Sequence, residues 1–367
     1  MDNRQRITRL TPLKEVFAAL DALARPVAAR EAEPSAAIGQ VLAADVTGKA
    51  LPARAAALQD GWAVKADELA DAGGYAPVQF AKKPQWVETG DSMPGDTDAV
   101  APIDAIAMRG DVAEAAGAVT AGDGVSPAGG EVDPAKPLRK AGERIRSLDV
   151  ALFAAAEIAR VGVRAPRLLI AAAREDLRLM PGVQMIARDV AARGGVPVLR
   201  NGMEIDAALR ADDCDAIVIA GGSGTGARDN SVATLGERGK VAVHGVGLTP
   251  GETAALGSAG ARPVLIVPGR LDGALASWLV IGRRMLARLA GDAETAPTVT
   301  RTLSRKVTST AGLAEVIPVR HDDANAEPLA AKVLPLWALA RANGWLVVPP
   351  DSEGYPAGTK VAVESLP

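Results

Sequence analysis

Cysteine, histidine and aromatic residues are nearly missing from this 367-residue chain, and each shortage excludes something. A single cysteine, Cys214, rules out an internal disulfide framework and a multi-cysteine metal centre. Its neighbours Asp213 and Asp215 raise a thiol pKa, which argues against a reactive thiolate. Two histidines, His244 and His321, are too few for a histidine-built metal site. Aromatic residues make up 3% of a chain that is 48% hydrophobic, so Ala, Val and Leu must fill the core. An excess of one charge is also missing: 41 basic residues stand against 44 acidic ones, net −3. That balance points neither to nucleic acid nor to an anionic membrane. No apolar run of about 18 residues offers a membrane span, and no signal-peptide stretch follows the first residues. The expectation is a soluble cytoplasmic protein of roughly two or three domains.

What is present is order along the chain. Thr11-Pro12 reads as the start of a helix, Thr11 as N-cap and Pro12 in the first position, with Leu13, Val16, Phe17, Leu20 and Leu23 on one face. A second short helix is expected from about Ser35 to Ala44. Residues 50–140 are rich in Gly and Pro, with short β-like runs such as Trp62-Ala63-Val64 and Ala99-Val100-Ala101, and read as a β-rich insertion. The stretch Ala121 to Lys140 reads as loop. From Arg167 the pattern changes. Leu168 to Ala171, Val196 to Leu199, Ala216 to Ile219, Val241 to Val243 and Val264 to Val267 read as strands. Met185 to Arg193, Asp206 to Ala211 and Gly273 to Ala290 read as helices. Such alternation predicts a doubly wound, mostly parallel sheet, whose ligands sit beyond the carboxyl ends of its strands. Thr298 onward alternates again and predicts a small C-terminal barrel or sandwich.

The most informative segment is Ile217 to Asp229. An apolar strand runs into Gly221, Gly222, Ser223, Gly224, Thr225 and Gly226, and a helix is expected to follow. Glycines at such a point expose backbone N–H groups, and a helix N-terminus adds its positive dipole end, so the pattern fits an anion site. It is neither a dinucleotide fingerprint nor a Walker A loop, and a tight strand–helix turn would look similar. Asp229, close behind, suits a metal, a cation or a donor-rich ring. His244 falls at a strand end near the same edge, where packing or hydrogen bonding is the commoner role. Arg283 and Arg284, on the long helix, are expected to face solvent or a partner.

Several short motifs follow one another in a fixed order. They are Asp60-Gly61-Trp62-Ala63; Thr89-Gly90 with Pro94-Gly95 and Asp98-Ala99-Val100; Ala141-Gly142-Glu143; Gly221-Gly222; His244-Gly245-Val246 with Pro250-Gly251; Pro268-Gly269; and Ala340-Arg341-Ala342-Asn343-Gly344. In this order they resemble the molybdopterin molybdotransferase family (MoeA and the gephyrin E domain) along nearly the whole chain. The resemblance implies an α/β plus β, multi-domain protein. Residues 1–165 would form the N-terminal and linker region with a β-rich insertion at about 47–140. Residues 166–293 would form the molybdopterin-binding α/β domain, and 294–367 a C-terminal β-barrel. It further implies a homodimer that inserts molybdate into adenylylated molybdopterin with loss of AMP, using Mg²⁺.

Carried onto this sequence, the resemblance implies catalytic roles for Asp60, Asp229, Glu175 and Asp176. Molybdopterin would be bound by Gly221, Gly222, Ser223, Gly224, Thr225, Gly226, Pro268, Gly269, Thr89 and Gly90, and Mg²⁺ by Asp60 and Asp229. A molybdoenzyme or another cofactor-synthesis protein is the partner it suggests. The departures are equally specific. The family's Gly-Glu-Asp reads Gly142-Glu143-Arg144, and Thr-Gly-Asp-Glu-Leu reads Ala173-Arg174-Glu175-Asp176-Leu177. Lys-Pro-Gly-Lys reads Thr249-Pro250-Gly251-Glu252, which removes two cations, and Pro-Gly-Asn-Pro reads Pro268-Gly269-Arg270-Leu271. Arg144, Arg174 and Arg270 are candidate replacements, since a guanidinium clamps oxyanions in bidentate fashion. A divergent molybdotransferase and a catalytically reduced paralogue that binds molybdopterin or the finished cofactor both fit these features.

Overall fold

The computed structural model describes residues 5–110, 112–200, 202–294 and 297–367. The chain divides into two compact units. One comprises the residues up to Ala44, Ala141–Ser147 and Arg160–Pro367; the other comprises Asp45–Lys140 and Leu148–Ala159.

In the first unit, a six-stranded sheet has the order Val196–Arg200, Arg167–Ala172, Ala216–Ala220, Arg262–Val267, Ala255–Ala259, Lys240–His244. The first four strands are parallel, and the last two complete the sheet antiparallel. Runs of Leu, Ile, Val and Ala form the inner strands Arg167–Ala172, Ala216–Ala220 and Arg262–Val267, which are buried on both faces. Leu168, Ile170, Ala216, Val218 and Leu265 pack on one side with helices Leu13–Leu23 and Met180–Ala192. Leu169, Ile217, Ile219 and Ile266 pack on the other with Ile205, Leu209, Val232 and Leu235 of helices Ile205–Arg210 and Ser231–Arg238. Pro197 is tolerated because its strand is at the edge. The doubly wound reading therefore holds; the strand Ala255–Ala259 is an addition to it.

The long C-terminal helix runs from Leu271 to Ala290 through one π turn at Trp278–Gly282. After it, strands Thr298–Leu303, Ala314–His321, Asn325–Pro328, Gly344–Val348 and Lys360–Ser365 close into a five-stranded barrel. Leu303, Ile317, Val319, Leu346, Val348, Val361 and Val363 fill its interior. The intervening residues Val316 and Trp345 face the other way and join the core under the α/β sheet. Strand periodicity thus serves two cores at once.

Three expectations need correction here. Thr11 is not an N-cap: it is buried, bridges Val246 and donates its N–H to Gly245, while the helix begins at Leu13 after Pro12. The stretch Ser35 to Ala44 is not a helix. A single 3₁₀ turn at Pro34–Ala37 stops before Gly39, whose φ of 81° breaks the helical path, and Val41–Leu42 pairs with Val163 and Arg164. Arg283 does not face solvent. It is buried and forms a bidentate pair with Asp189, to which Trp278 Nε1 also donates at 2.7 Å. Arg284 lies over the Phe17 ring and pairs with Asp21.

The second unit is β-rich. Strand Gly61–Val64 lies between Gln85–Val87 and Ala99–Ala101, and Val112–Ala115 lies between Val78–Gln79 and Ile106–Arg109. Leu69, Ala99, Ala101, Ile106, Ala113 and Ala115 are among its buried residues. Residues 121–140 are irregular apart from the two-residue strand Val125–Ser126. Among the described residues, no helix is long and apolar enough to cross a membrane.

Candidate functional site

The parallel register decides what meets at the sheet edge. Ala172 pairs with Ala220, and Ala220 with Val267, so the segments leaving these three strands lie side by side. Gly221 N–H extends the ladder by donating to Val267 at 2.9 Å. A cleft of about 460 Å³ results. Arg174, Asp176, Arg178, Leu179, Gly221, Gly222, Ser223, Gly224, Asp229, Thr253, Pro268, Gly269, Arg270 and Leu271 line it. The Gly loop, the Pro268-Gly269 turn, Asp176, Asp229, Arg174 and Arg270 are thus brought together, as their place at strand ends implies. Thr225 and Gly226 are exposed and do not line the cleft.

The loop's carbonyls and amides are treated differently. Gly221 C=O accepts Ser231 Oγ at 2.9 Å; Gly222 C=O accepts Gln5 Nε2 at 2.7 Å and Ser231 N–H at 3.1 Å. Ser223 C=O lies 2.9 Å from His244 Nε2, and Gly224 C=O accepts Gln5 Nε2 at 2.6 Å. A carbonyl only accepts, so His244 Nε2 carries the proton in this contact. A trans peptide points its N–H opposite to its C=O. Four anchored carbonyls therefore fix the directions of the N–H groups of Gly222, Ser223, Gly224 and Thr225. Among the described residues, no acceptor engages any of these four amides. A row of open backbone donors of this kind can receive an anion. Gly222 is required: its φ is 69°, and a Cβ there would sit 2.1 Å from Ser231 Oγ.

The following helix contributes less than expected. Its first turn is already satisfied, because Gln5 Oε1 accepts the N–H groups of Val232 and Ala233, both at 3.2 Å. The loop's own amides, not the helix terminus, are the open donors. Asp229 Oδ2 accepts Gly226 N–H at 2.9 Å and closes the end of the loop; among the described residues, nothing engages its Oδ1.

The acidic pair after the first strand divides. Asp176 faces the Gly-loop cleft, whereas exposed Glu175 lines a neighbouring cleft of about 560 Å³ with Gly202, Met203 and Glu204. Asp176 binds Arg178 at 3.0 Å through both oxygens, and Arg174 at 3.2 Å. The Arg178 side chain, then its N–H, then Arg174 hold this carboxyl far below the usual carboxylate range. Arg270 pairs in the same way with Asp272, at 3.1 and 2.9 Å. Burial pushes the Asp272 carboxyl up, and the Arg270 and Gly273 donors outweigh it, so its pKa is lowered. Three arginines line the cleft, and bidentate pairing leaves each of Arg178 and Arg270 with further N–H donors. Arg144 is not among them. It donates to the carbonyls of Gly39 and Arg193 and pairs with Asp292 in a different cleft.

Where two lysines would stand by resemblance, Glu252 accepts Thr249 Oγ1 at 2.7 Å and Gly251 N–H at 3.0 Å. Thr253, next to it, bonds Ser223 Oγ at 2.9 Å in the cleft. Sequence reasoning missed Thr253, Arg178, Ser231 and Gln5. The first two sit within two residues of motifs it did single out. Gln5 lies more than 200 residues from its partners and left no local signal.

In the second unit, the predicted residues Asp60, Thr89 and Gly90 come together and are exposed. Asp60 Oδ1 accepts both the Thr89 N–H at 2.8 Å and its hydroxyl at 2.9 Å. The Thr89 amide, then its hydroxyl, hold the Asp60 carboxyl below its ordinary pKa. Gly90 takes φ 93° in the turn that presents Thr89. Among the described residues, no group of three or more His, Cys, Asp or Glu side chains is placed to hold a metal ion. The buried Cys214 thiol is pushed up by burial, in keeping with an unreactive thiol.

Comparison with known proteins gives family matches in both terminal regions of the chain. Residues 11–156 match the MoeA N-terminal region (domain I and II), and residues 300–366 match the MoeA C-terminal region (domain IV). A molybdopterin biosynthesis protein of Methanocaldococcus jannaschii is 25% identical over 380 residues, covering 92% of each chain. The crystal structure of the molybdopterin biosynthesis moeA protein from Pyrococcus horikoshii OT3 superimposes with a TM-score of 0.80 at 22% identity, over 97% of this chain and 100% of that one. A molybdenum cofactor biosynthesis protein from Pyrococcus furiosus gives a TM-score of 0.63 at 20% identity, with 97% and 100% covered. Both terminal regions, the full-length relative and the shared fold agree: the chain belongs to the MoeA family.

Proposed function

We propose that this protein works in molybdenum cofactor biosynthesis as a transferase that inserts molybdate into adenylylated molybdopterin, with loss of AMP. The observation that carries this reading is the row of open N–H groups from Gly222 to Gly224 in a cleft lined by Arg174, Arg178 and Arg270, with the open Thr225 N–H at its rim. Fixed amides suit the phosphate of a pterin substrate, and guanidinium groups suit a second oxyanion. Their directions are set before any ligand arrives, so binding and charge stabilisation require little reorganisation. The Ser223–Thr253 hydroxyl pair adds one further donor at the cleft wall. His244 acts in this reading by orienting Ser223, not as an acid or base.

Mg²⁺ belongs to the same proposal. One or two carboxylates completed by substrate phosphate oxygens make a common site for this ion. Asp229 Oδ1 fits that description, and so does Asp60 Oδ2, whose partner oxygen is the one that Thr89 engages. When bound, the ion would offset phosphate charge. Asp176 is ionised throughout the neutral range and is proposed to hold Arg174 and Arg178 in place. The active form is proposed to be a homodimer located in the cytoplasm.

A second reading, a paralogue that binds molybdopterin or the finished cofactor as carrier or partner of a molybdoenzyme, is favoured by one observation. Glu252 places a negative charge beside Thr253 where a cation stands by resemblance. AMP release from adenylylated molybdopterin separates the two readings. Asp229→Ala tests the site itself: molybdopterin affinity should fall while the protein stays folded, and unchanged affinity would remove Asp229 from it.

A further inference from the structure

We propose that Gln5 is a positioning residue that latches the anion-binding loop in its working conformation, an inference that rests on the loop being the pterin-phosphate site. The amide nitrogen of Gln5 donates to two loop carbonyls, Gly222 at 2.7 Å and Gly224 at 2.6 Å. Its amide oxygen accepts Val232 and Ala233 N–H, both at 3.2 Å. One planar group thus ties the loop to the first turn of the helix that follows it. Asn230, the N-cap residue of that helix, makes no side-chain cap of its own, so Gln5 supplies the cap from across the fold.

The consequence for the site comes from peptide planarity. With the Gly222 carbonyl held, the Ser223 N–H is held pointing the opposite way; with the Gly224 carbonyl held, so is the Thr225 N–H. Glycines on the loop make such restraint necessary, because Gly221 and Gly222 already sit at φ 95° and 69° and rotate at little steric cost. Ser231 Oγ and His244 fix the remaining two carbonyls, and the Ser231 N–H shares the Gly222 carbonyl with Gln5, so Gly224 is where Gln5 acts alone. Gln5 is the only described side chain that engages Gly224 C=O. The side chain also withholds the helix N-terminus from ligand, which leaves the loop amides as the place for the anion.

Two substitutions separate latching from capping. Gln5→Ala removes both. Gln5→Glu keeps an oxygen for Val232 and Ala233 but cannot donate to Gly222 and Gly224. The full chain carrying each substitution is compared with wild type by backbone NMR order parameters of residues 221–226, by amide hydrogen exchange of Val232 and Ala233, by molybdopterin titration, and by the split between KM and kcat for AMP release. Both variants should lower the order parameters of Gly224 and Thr225 and bind molybdopterin about tenfold more weakly, with KM raised and kcat retained. Gln5→Glu should keep the protection of Val232 and Ala233 that Gln5→Ala loses. Loop order parameters and affinity unchanged in Gln5→Glu would overturn the latch. Wild type that binds no molybdopterin would instead defeat the phosphate-site reading, while the order parameters still decide whether Gln5 holds the loop.

Discussion

His244 Nε2 lies 2.9 Å from the carbonyl oxygen of Ser223, 21 residues earlier in the chain. The contact spans two segments at the same sheet edge and turns a strand-end histidine into a loop anchor. Removing it costs one hydrogen bond, about 1 kcal/mol. His244→Ala should therefore lower the thermal midpoint by about 2 °C and, by loosening the loop, weaken molybdopterin binding by up to about fivefold, measured by titration. Loss of all turnover at unchanged affinity would instead make His244 a participant in the chemistry.

Gly222 and Ser231 are coupled. A Cβ on Gly222 would sit 2.1 Å from Ser231 Oγ, at a φ that only glycine adopts freely. Gly222→Ala should destabilise the protein by about 2–3 kcal/mol, strain and overlap combined. Adding Ser231→Ala removes the overlapping hydroxyl. The double variant should thus lose less than the two single losses added together, as read from urea midpoints. Strict additivity would show that the two residues do not meet.

Asp189 is the centre of a buried ionic network. Arg283 and Arg193 pair with it, and Trp278 donates to it. Burial raises its pKa, but these donors outweigh burial, so the folded value lies below the ordinary carboxylate value. Asp189→Asn removes the bidentate counter-charge of Arg283, leaving, among the described residues, only Glu364 at 4.0 Å, and should cost about 3 kcal/mol at pH 7. The sign with pH follows. A depressed carboxylate contributes stability above its unfolded pKa of about 3.9, and that contribution is lost as pH falls through the folded value. The gap between wild type and variant should be constant from pH 5 to 8 and shrink below about pH 4. A gap that widens on acidification would contradict the assignment.

Glu252 can be neutralised without losing its contacts. In Glu252→Gln, the amide oxygen can take the Gly251 N–H and the amide nitrogen can donate to Thr249 Oγ1, which now accepts. The loop geometry should survive while one negative charge beside the cleft disappears. Affinity for adenylylated molybdopterin should rise about two- to fivefold, and more at low ionic strength, where screening is weak. Equal affinity at low and high salt would show that Glu252 does not act on the ligand by its charge.

The parts of this fold that were legible are those written in local periodicity. Leu168 to Ala171 and Ile217 to Ile219 are apolar at every position, which marks strands covered on both faces; Ile317, Val319, Val361 and Val363 alternate, which marks a barrel. The cleft was legible as well, because strand ends of a parallel sheet place the Gly loop beside Pro268-Gly269. What escaped notice depends on distant partners. Arg283 carries a charge yet belongs to the buried face of its helix, because Asp189 awaits it 94 residues away. Ser35 to Ala44 has helix-forming residues, but Gly39 and a pairing with Val163 and Arg164 override them. The antiparallel strand Ala255–Ala259 has little hydrophobic bulk and shows itself only through its neighbours. Arg144, taken as a possible substitute cation, is held by Gly39, Arg193 and Asp292, none of them near it in sequence.

The central claim is that the cleft around Gly221 to Gly224 still performs transfer chemistry despite Glu252 and the other replaced positions. The most direct measurement incubates purified wild-type protein with adenylylated molybdopterin, molybdate and Mg²⁺ and follows AMP over time. The account predicts AMP release above background that depends on molybdate and falls in Asp229→Ala. No AMP above background, with the pterin still bound, would contradict it and leave the protein as a binder of the cofactor precursor.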